Sequence, residues 1–361
     1  MNSLDSLLCE LCPNGVEHRT LGEVAKCHRG TAITAKQSKP GSVPVVSGGQ
    51  KPAFFHAESN RPSGCVTVAG SGAYAGYVQY WDVPIFCADS FTVDPIDSDE
   101  ISSRFIFHIL KSRQDRLYSL KSEGGVPHVY GKDVAAFSIP LPPLPVQEEI
   151  VRRLDAMQDV VEALENELAL RRKQYEAVRK EVLDSLFVAE ERTIGECCSI
   201  VNAHVKFQRS EYGKEGAYPI IDQGQDFICG YTDDASSIMD IGPCVLFGDH
   251  TRIVKYADFP FAQGADGLKI LKAEEKTVTP RFLFHSLSST DIPNRGYNRH
   301  WTIVKDIRIP VPPLPAQEEI AKKLDAFDEL VNVALPAEIA VRRRAMEAVR
   351  ERCFAALEKA G

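Results

Sequence analysis

Near the start of the chain, the side chains best able to do chemistry are Cys9 and Cys12, spaced as C-x-x-C, with His18, Cys27 and His28 downstream. Thiolates and imidazoles of this kind can hold zinc, but a structural site usually draws on a second spaced pair, and Cys27 and His28 are adjacent. They are read as buried or incidental thiols, with no metal expected. Gly70, Gly72 and Gly76 follow a strand-like run but open no helix, so a tight hairpin fits them better than a dinucleotide loop. The stretch from Gly125 to Asp133 has five residues between its glycines and an Asp after Lys132, which is not a phosphate-cradling P-loop. Glu274-Glu275-Lys276 has the charge order of a nuclease Glu-x-Lys, without an Asp on a suitable preceding strand. No Asn/Asp-Pro-Pro-aromatic tetrapeptide, the loop used for methyl transfer to an amino group, occurs. No catalytic residue is assigned.

The frame around these residues is ordinary in bulk. The chain has 361 residues, 44% hydrophobic and 25% charged, which suits two or three globular domains. No apolar run approaches the roughly 18 residues of a membrane span, and Asp5 and Glu10 sit where a secretory leader carries basic groups. Ten cysteines without such a leader predict free thiols and a cytoplasmic protein. The net charge of −8 argues against a polybasic coat for DNA or membrane. Its distribution is uneven. Residues 141–191 carry 7 basic and 12 acidic groups, while 1–140 (13 and 14), 192–310 (14 and 15) and 311–361 (8 and 9) are each near neutral.

An internal repeat sets the organisation. IPLPPLPVQEEIVRRLD at 139–155 returns as IPVPPLPAQEEIAKKLD at 309–325, with 12 of the 17 positions identical. RTLGE at Arg19 returns at Arg192, FIFHIL at Phe105 as FLFHSL at Phe282, Lys132-Asp133 as Lys305-Asp306, and RRKQYEAVR at Arg171 as RRRAMEAVR at Arg342. The offset stays between 170 and 177, and the stretches 26–100 and 199–275 differ greatly. The chain is a duplicated unit with like ends and unlike middles.

Each proline run leads into a helix. Proline suits the extended approach and the first helical positions, and Glu148 and Glu149 are expected in the first turn, where the helix dipole favours anions. Apolar residues recur at Ile150, Leu154, Met157, Val161, Leu164, Leu168, Tyr175, Val178 and Val182, a heptad interrupted once near Arg171. Some 40 residues would make a rod of about 60 Å. The matching seam is Ile320, Leu324, Phe327 and Val331, then Ile339, Met346, Val349 and Cys353. It aligns only with one extra residue near Pro336, where a kink or break is expected. Pairing the rods antiparallel closes the arrangement most simply.

The predicted fold class is α+β. Two mixed α/β blocks, 1–140 and 192–310, are separated by long helices at 141–191 and 311–361, packed as an antiparallel coiled coil with a pseudo-two-fold repeat. Residues 65–82 read as strand, Gly-rich turn and strand, 101–120 and 279–289 as short helices, and 217–232 and 243–272 as strands with turns.

The paired PPLP-x-QEEI elements, the RRKQYEAVR ending and the run from PVVSGGQKPAFF to VAGSGAYAGYVQYWDVPIFCADSF resemble the specificity (S) subunits of Type I restriction-modification systems. The resemblance spans essentially the whole chain. It implies a non-catalytic, cytoplasmic reader of double-stranded DNA acting in host defence. Two target recognition domains would each read half of a split site, and the helices would fix the gap. Two methyltransferase subunits would dock on the chain and bring S-adenosylmethionine, and two restriction subunits would bring ATP- and Mg-dependent cleavage, so no cofactor belongs to this chain. The near-neutral blocks also suggest weak DNA binding by the isolated chain, because phosphate neutralisation supplies most non-specific affinity.

Base reading needs forked donors and acceptors on exposed loops, and phosphate contacts need Lys, Arg or backbone N–H groups. In the first block the candidates are Lys36, Lys39, Ser47, Gly48, Gly49, Gln50, Lys51, Ser71, Tyr74, His128 and Tyr130. In the second they are Gln223, Gln225, Asp249, His250, Thr251, Arg252, Asn298, Arg299, His300 and Trp301. Arg152, Arg153, Glu162, Arg171 and Arg172 flank the helix seam and suit either solvent or a docked partner. Two alternatives stay open: a stand-alone DNA-modifying enzyme, and a two-headed adaptor that binds protein or carbohydrate.

Overall fold

The structure is a computed structural model and describes residues 4–122, 125–186, 189–296 and 298–359. It divides into two compact units. The first unit joins residues 1–164 to 338–361, and the second is the intervening 165–337. Each unit therefore contains one mixed block, hereafter a head, together with parts of both long helices.

In the first unit, a four-stranded antiparallel sheet runs in the order Ala25–Arg29, Ser90–Pro95, Cys65–Ala69 and Val78–Trp81. The run Cys65–Ala69 is buried on both faces, as its unbroken apolar and β-branched sequence requires. Helix Ser103–Ser112 packs on the sheet, started by the Ser102 hydroxyl accepting from the Phe105 amide. A three-stranded sheet, Phe54–His56, Val43–Val46 and Phe86–Cys87, forms a second layer. The Gly-rich run makes a hairpin as expected, but its connection, 70–77, is longer than a tight turn. Gly76 has φ +87°, and a side chain there would press on the Leu117 carbonyl at 2.9 Å.

The second unit repeats the plan. Its main sheet is Cys198–Val201, Leu268–Ala273, Cys244–Gly248 and Val254–Ala257, covered by helix Pro280–Ser289 with Thr279 as cap. A four-stranded second sheet replaces the three-stranded one. In each unit a short antiparallel pair (His18–Thr20 with Ser138–Pro140, Glu190–Thr193 with Arg308–Val311) ties the entry of the head to the proline run that leaves it.

The first long helix runs from Leu144 to Asp184, 41 residues. It begins one turn earlier than expected, so Glu148 and Glu149 lie beyond the first turn. Glu149 is instead held by Arg152 and Arg153, and chiefly the hydrogen bond from Arg152 lowers its carboxyl to about 2. In the first unit the start of this helix, through Ile150 and Leu154, shares one core with Cys353, Phe354 and Leu357 from the end of the second long helix. In the second unit its later part, through Tyr175 and Leu168, packs with Ile320, Leu324, Phe327 and Val331 from the start of that helix. The two rods meet in opposite sequence order, as an antiparallel pair must. Val161 is buried, and Met157 and Leu164 are half-buried.

No break occurs at Pro336. Leu314–Glu329 and Leu335–Lys359 are α-helical, and Leu330–Ala334 between them is a π-helix in which the Leu335 amide bonds back five residues to Leu330. That wide turn takes up the one surplus residue the heptad alignment demanded. No helix among the described residues is long and apolar enough to cross a membrane.

Candidate nucleic-acid interface

The first head gathers most of its expected contact residues into one place. The loop 47–53 follows strand Val43–Val46, and Gly48 packs so tightly on the Ser71 carbonyl that a Cβ would come to 2.4 Å. Gln79 Nε2 donates to the Gln50 carbonyl at 2.8 Å, leaving the exposed Gln50 side chain projecting. Ser71 bridges to His128 along the backbone, and its hydroxyl donates to Asp89. The His128 ring stacks on Tyr130, with centroids 6.0 Å apart and planes at 15°. This pair lines a cleft of about 420 Å3 together with Arg29, Asp89 and Lys132. Lys51 and Tyr74 are exposed, and Ser47 and Gly49 half-exposed. Lys36 and Lys39 lie elsewhere, in and just after the turn Ala35–Gln37, and Lys39 is paired with Glu58 at 2.7 Å. The sequence reading missed Arg29, Asp89 and Lys132. Lys132 stands next to Gly131 in a quoted repeat motif, whereas only long-range pairing brings in Arg29 and Asp89.

In the second head the expected residues divide into exposed side chains and side chains turned inward to hold the loops. Gln223 is fully used: its amide donates to the Asp266 carbonyl at 3.1 Å and accepts from the His250 amide at 3.1 Å. Its own carbonyl accepts from the Thr251 hydroxyl at 2.6 Å. Asp249 and His300, expected as DNA contacts, are inside, at 1% and 0% exposure. His300 donates to the Asp249 carbonyl from its amide, and its Nδ1 lies 2.8 Å from the same oxygen, while Asp249 Oδ1 accepts from the Trp301 amide. These two side chains hold the loop and are withdrawn from any ligand, because burying such polar groups requires partners of this kind. Trp301 leans on Phe247 at 6.1 Å and is also half-buried. Thr251, Gln225, Asn298 and Arg299 are exposed, and His250 and Arg252 half-exposed. Gln225 lines a separate cleft of about 350 Å3 with Arg209, Tyr212, Asp222 and Asp226.

Behind Gln225, the Lys255 ammonium is buried and donates to the carbonyls of Asp222 at 2.8 Å and Asp226 at 2.6 Å. Burial lowers its pKa, and the neighbouring Asp222 partly opposes that.

What fixes each head to its helix is the same in both copies, and the sequence reading did not anticipate it. Gln147, fully buried, accepts from the Ser102 amide at 3.1 Å and donates to the carbonyls of Glu100 (2.8 Å) and Pro142 (2.9 Å). Gln317, also fully buried, accepts from the Thr279 amide at 2.8 Å and donates to Thr277 (2.9 Å) and Pro312 (2.7 Å). About two turns further along each long helix, a second contact repeats. His108 donates to Asp155 at 2.6 Å and His285 to Asp325 at 2.7 Å, with Arg104 and Arg281 on the same carboxylates. Those guanidiniums lie over Tyr80 and Tyr256, each 4.2 Å from the ring centre. Burial lowers both imidazole pKa values despite the facing carboxylates. Repetition of these polar letters inside otherwise apolar runs was the available signal.

Among the described residues, no group of three or more His, Cys, Asp or Glu could hold a metal ion. Cys12 is buried in the first core, and burial raises its thiol. Cys27 is pushed up to about 11 by burial and then by Asp94, which leaves a poor nucleophile.

The chain matches the family described as Type I restriction modification DNA specificity domain twice, over residues 13–170 and 189–340. A putative type I specificity subunit of Mycoplasma pneumoniae is 24% identical, covering 93% of this chain and 96% of that protein. The EcoR124I/EcoR124II specificity subunit of Escherichia coli is 27% identical over a shorter stretch, 37% of this chain and 36% of its own. Among solved structures, the S subunit of a Type-I restriction-modification system from M. genitalium superposes with a TM-score of 0.63 at 18% identity, covering 94% of this chain and 97% of that one. A chain from a structural study of type I R-M complex assembly gives 0.55 at 21% identity, covering 95% and 98%. The fold is thus shared along nearly the full length, and with the specificity domain present in both halves the chain belongs to the Type I restriction-modification DNA specificity family.

Proposed function

We propose that each head of this chain reads one half of a split double-stranded DNA site and that the paired helices set the gap between the halves. The observation carrying this reading is that the latch of Gln, His and Asp joining head to helix is the same in both copies, while the loops exposed on the heads differ. A scaffold that holds two unlike readers at a fixed separation needs constant joints and variable faces. The first head would read through Gln50, Lys51, Ser71, Tyr74 and the His128–Tyr130 pair. The second would read through Gln225, His250, Thr251, Asn298 and Arg299, with Arg252 beside them in the same loop and Gln223, Asp249, His300 and Trp301 behind. Amide and guanidinium forks of this type distinguish base edges in the major groove, each good pair contributing about 1–3 kcal/mol of discrimination.

The chain itself recognises and does not catalyse. Two methyltransferase subunits, carrying S-adenosylmethionine, would dock on its helices in the cytoplasm, and two restriction subunits would add the ATP- and Mg-dependent steps. The test is to co-express the chain with its methyltransferase and map the methylated adenines. A bipartite site with a fixed gap is expected. Exchanging residues 26–130 for those of another specificity subunit should change one half-site and leave the other half and the gap as they were. Both half-sites changing together would overturn the reading.

A further inference from the structure

The second unit contains a cleft of about 310 Å3 that the reading of bases does not use. Three arginines line it: Arg172 and Arg179 from the first long helix, and Arg252 from the second head. Its polar lining also includes Tyr175, Glu176, Ser288, Asp328 and Asn332. Asp328 is already engaged, accepting from Asn332 Nδ2 at 3.0 Å and lying 3.3 Å from the Tyr175 hydroxyl. The cleft keeps a surplus of positive charge.

Three features suggest that the site is built for a ligand. The Nε of Arg179 is buried without a hydrogen-bond partner, although the same guanidinium donates to the Ser288 carbonyl at 3.1 Å and sits 4.9 Å from the Tyr175 ring centre. An unsatisfied buried donor on a charged group is costly, and it calls for an acceptor. Arg252 holds φ +63°, the left-handed region that a branched or long side chain avoids, and it is the one such non-glycine among the described residues. Its amide bonds to the Gly248 carbonyl at 2.8 Å and its side chain donates to Ile292 at 3.0 Å, which keeps the guanidinium at the cleft. The π-turn supplies Val331 and Asn332 to the wall, and wide turns of this sort often mark functional sites. In the first unit the repeat counterpart of Arg179 is Arg350, whose Nε is likewise buried without a partner; at 2% exposure and paired with Glu347 it is closed off, so what sets the second unit apart is the open cleft and the two further arginines.

We propose that this cleft seats one phosphate of the DNA backbone, with Arg172, Arg179 and Arg252 as its donors. Guanidinium forks match the oxygens of a phosphodiester, and Arg252 directly follows the exposed Thr251 of the proposed reading loop. The second head carries 14 basic and 15 acidic groups, so backbone attraction there has to be concentrated at such a point and cannot be spread over the surface. The proposal rests on the DNA-reading function above and adds a place where register, not sequence, is fixed.

The experiment uses the full chain assembled with its methyltransferase subunits, and measures duplex binding by fluorescence anisotropy across a potassium chloride series. Arg172→Gln and Arg252→Gln should each weaken specific and scrambled duplexes equally and flatten the slope of log K against log salt by about one. In parallel, inorganic phosphate at matched ionic strength should raise the melting midpoint of the wild-type chain more than that of Arg172→Gln. Unchanged slopes in both variants, with unaltered melting in buffer, would overturn the proposal. So would phosphate protection without any change in slope, since the cleft would then serve a free anion. Failure of the wild-type complex to prefer its own site would instead defeat the DNA-reading function, a separate and visible result.

Discussion

The two joints between head and helix, built from the same letters, differ at one hydrogen bond. In the second unit, Tyr175 places its hydroxyl 3.3 Å from Nδ1 of His285 and stacks on Phe327, with ring centres 6.3 Å apart. In the first unit, Nδ1 of His108 is buried without a partner. The repeat alignment explains why: RRKQYEAVR becomes RRRAMEAVR, and Met346 stands where Tyr175 does. A thioether fills space but has no hydroxyl to set against an imidazole nitrogen. The contrast separates what the joint requires, the Gln and the His–Asp pair kept in both copies, from what one copy adds.

The largest effect should come from the shared element. Replacing Gln147 or Gln317 by Ala strands one amide and two carbonyls in a buried position, and each should lower stability by about 3 kcal/mol. Denaturant titration should find the two losses alike, and a wide inequality would break the equivalence of the joints. A smaller effect is expected at the point of difference. Tyr175→Phe removes only the hydroxyl and should cost about 1 kcal/mol, whereas Met346→Leu, similar in volume, should cost less. Equal costs would show that the Tyr175 hydroxyl contributes nothing to the joint.

The smallest effect concerns acid. Both imidazoles have pKa values lowered by burial, so on acidification below about 6.5 the unfolded chain takes up protons that the folded chain resists. Stability should therefore fall as pH drops through that range. At Asp155 burial works against ionisation, but His108 and Arg104 prevail and its pKa is lowered too, which extends the loss to lower pH. His108→Gln and His285→Gln should each flatten the profile of melting temperature against pH between 7 and 5. A profile as steep as that of the wild type in both variants would remove the buried imidazoles as its cause.

Much of this architecture is legible without coordinates, because the signals are local. The duplicated proline leaders, the heptad spacing of Ile150, Leu154 and Val161, and the unbroken apolar and β-branched run Cys65–Ala69 are each properties of a single element. The joint was only half visible: Gln147 and His108 repeat as Gln317 and His285, but the bonds that tie helix to head join residues 38 to 47 positions apart. The contact loops were hardest to sort. Asp249, His300 and Gln223 have the chemistry of readers and turn out to hold the loop, because their partners come from distant turns. Pro336 misled in the other direction, since a proline that ordinarily interrupts a helix follows a π-turn here and the rod continues.

That wide turn has a consequence for how the molecule tolerates insertions. In a regular helix, one added residue swings everything beyond it by about 100° and advances it by about 1.5 Å. Uncorrected, such a swing would rotate Cys353, Phe354 and Leu357 away from the N-terminal core they complete. By confining the misphasing to Leu330–Ala334, the chain accepts a change in length as a small shift along the axis with its faces still aligned. A strut of this type can be altered one residue at a time, without a whole heptad having to be gained or lost at once.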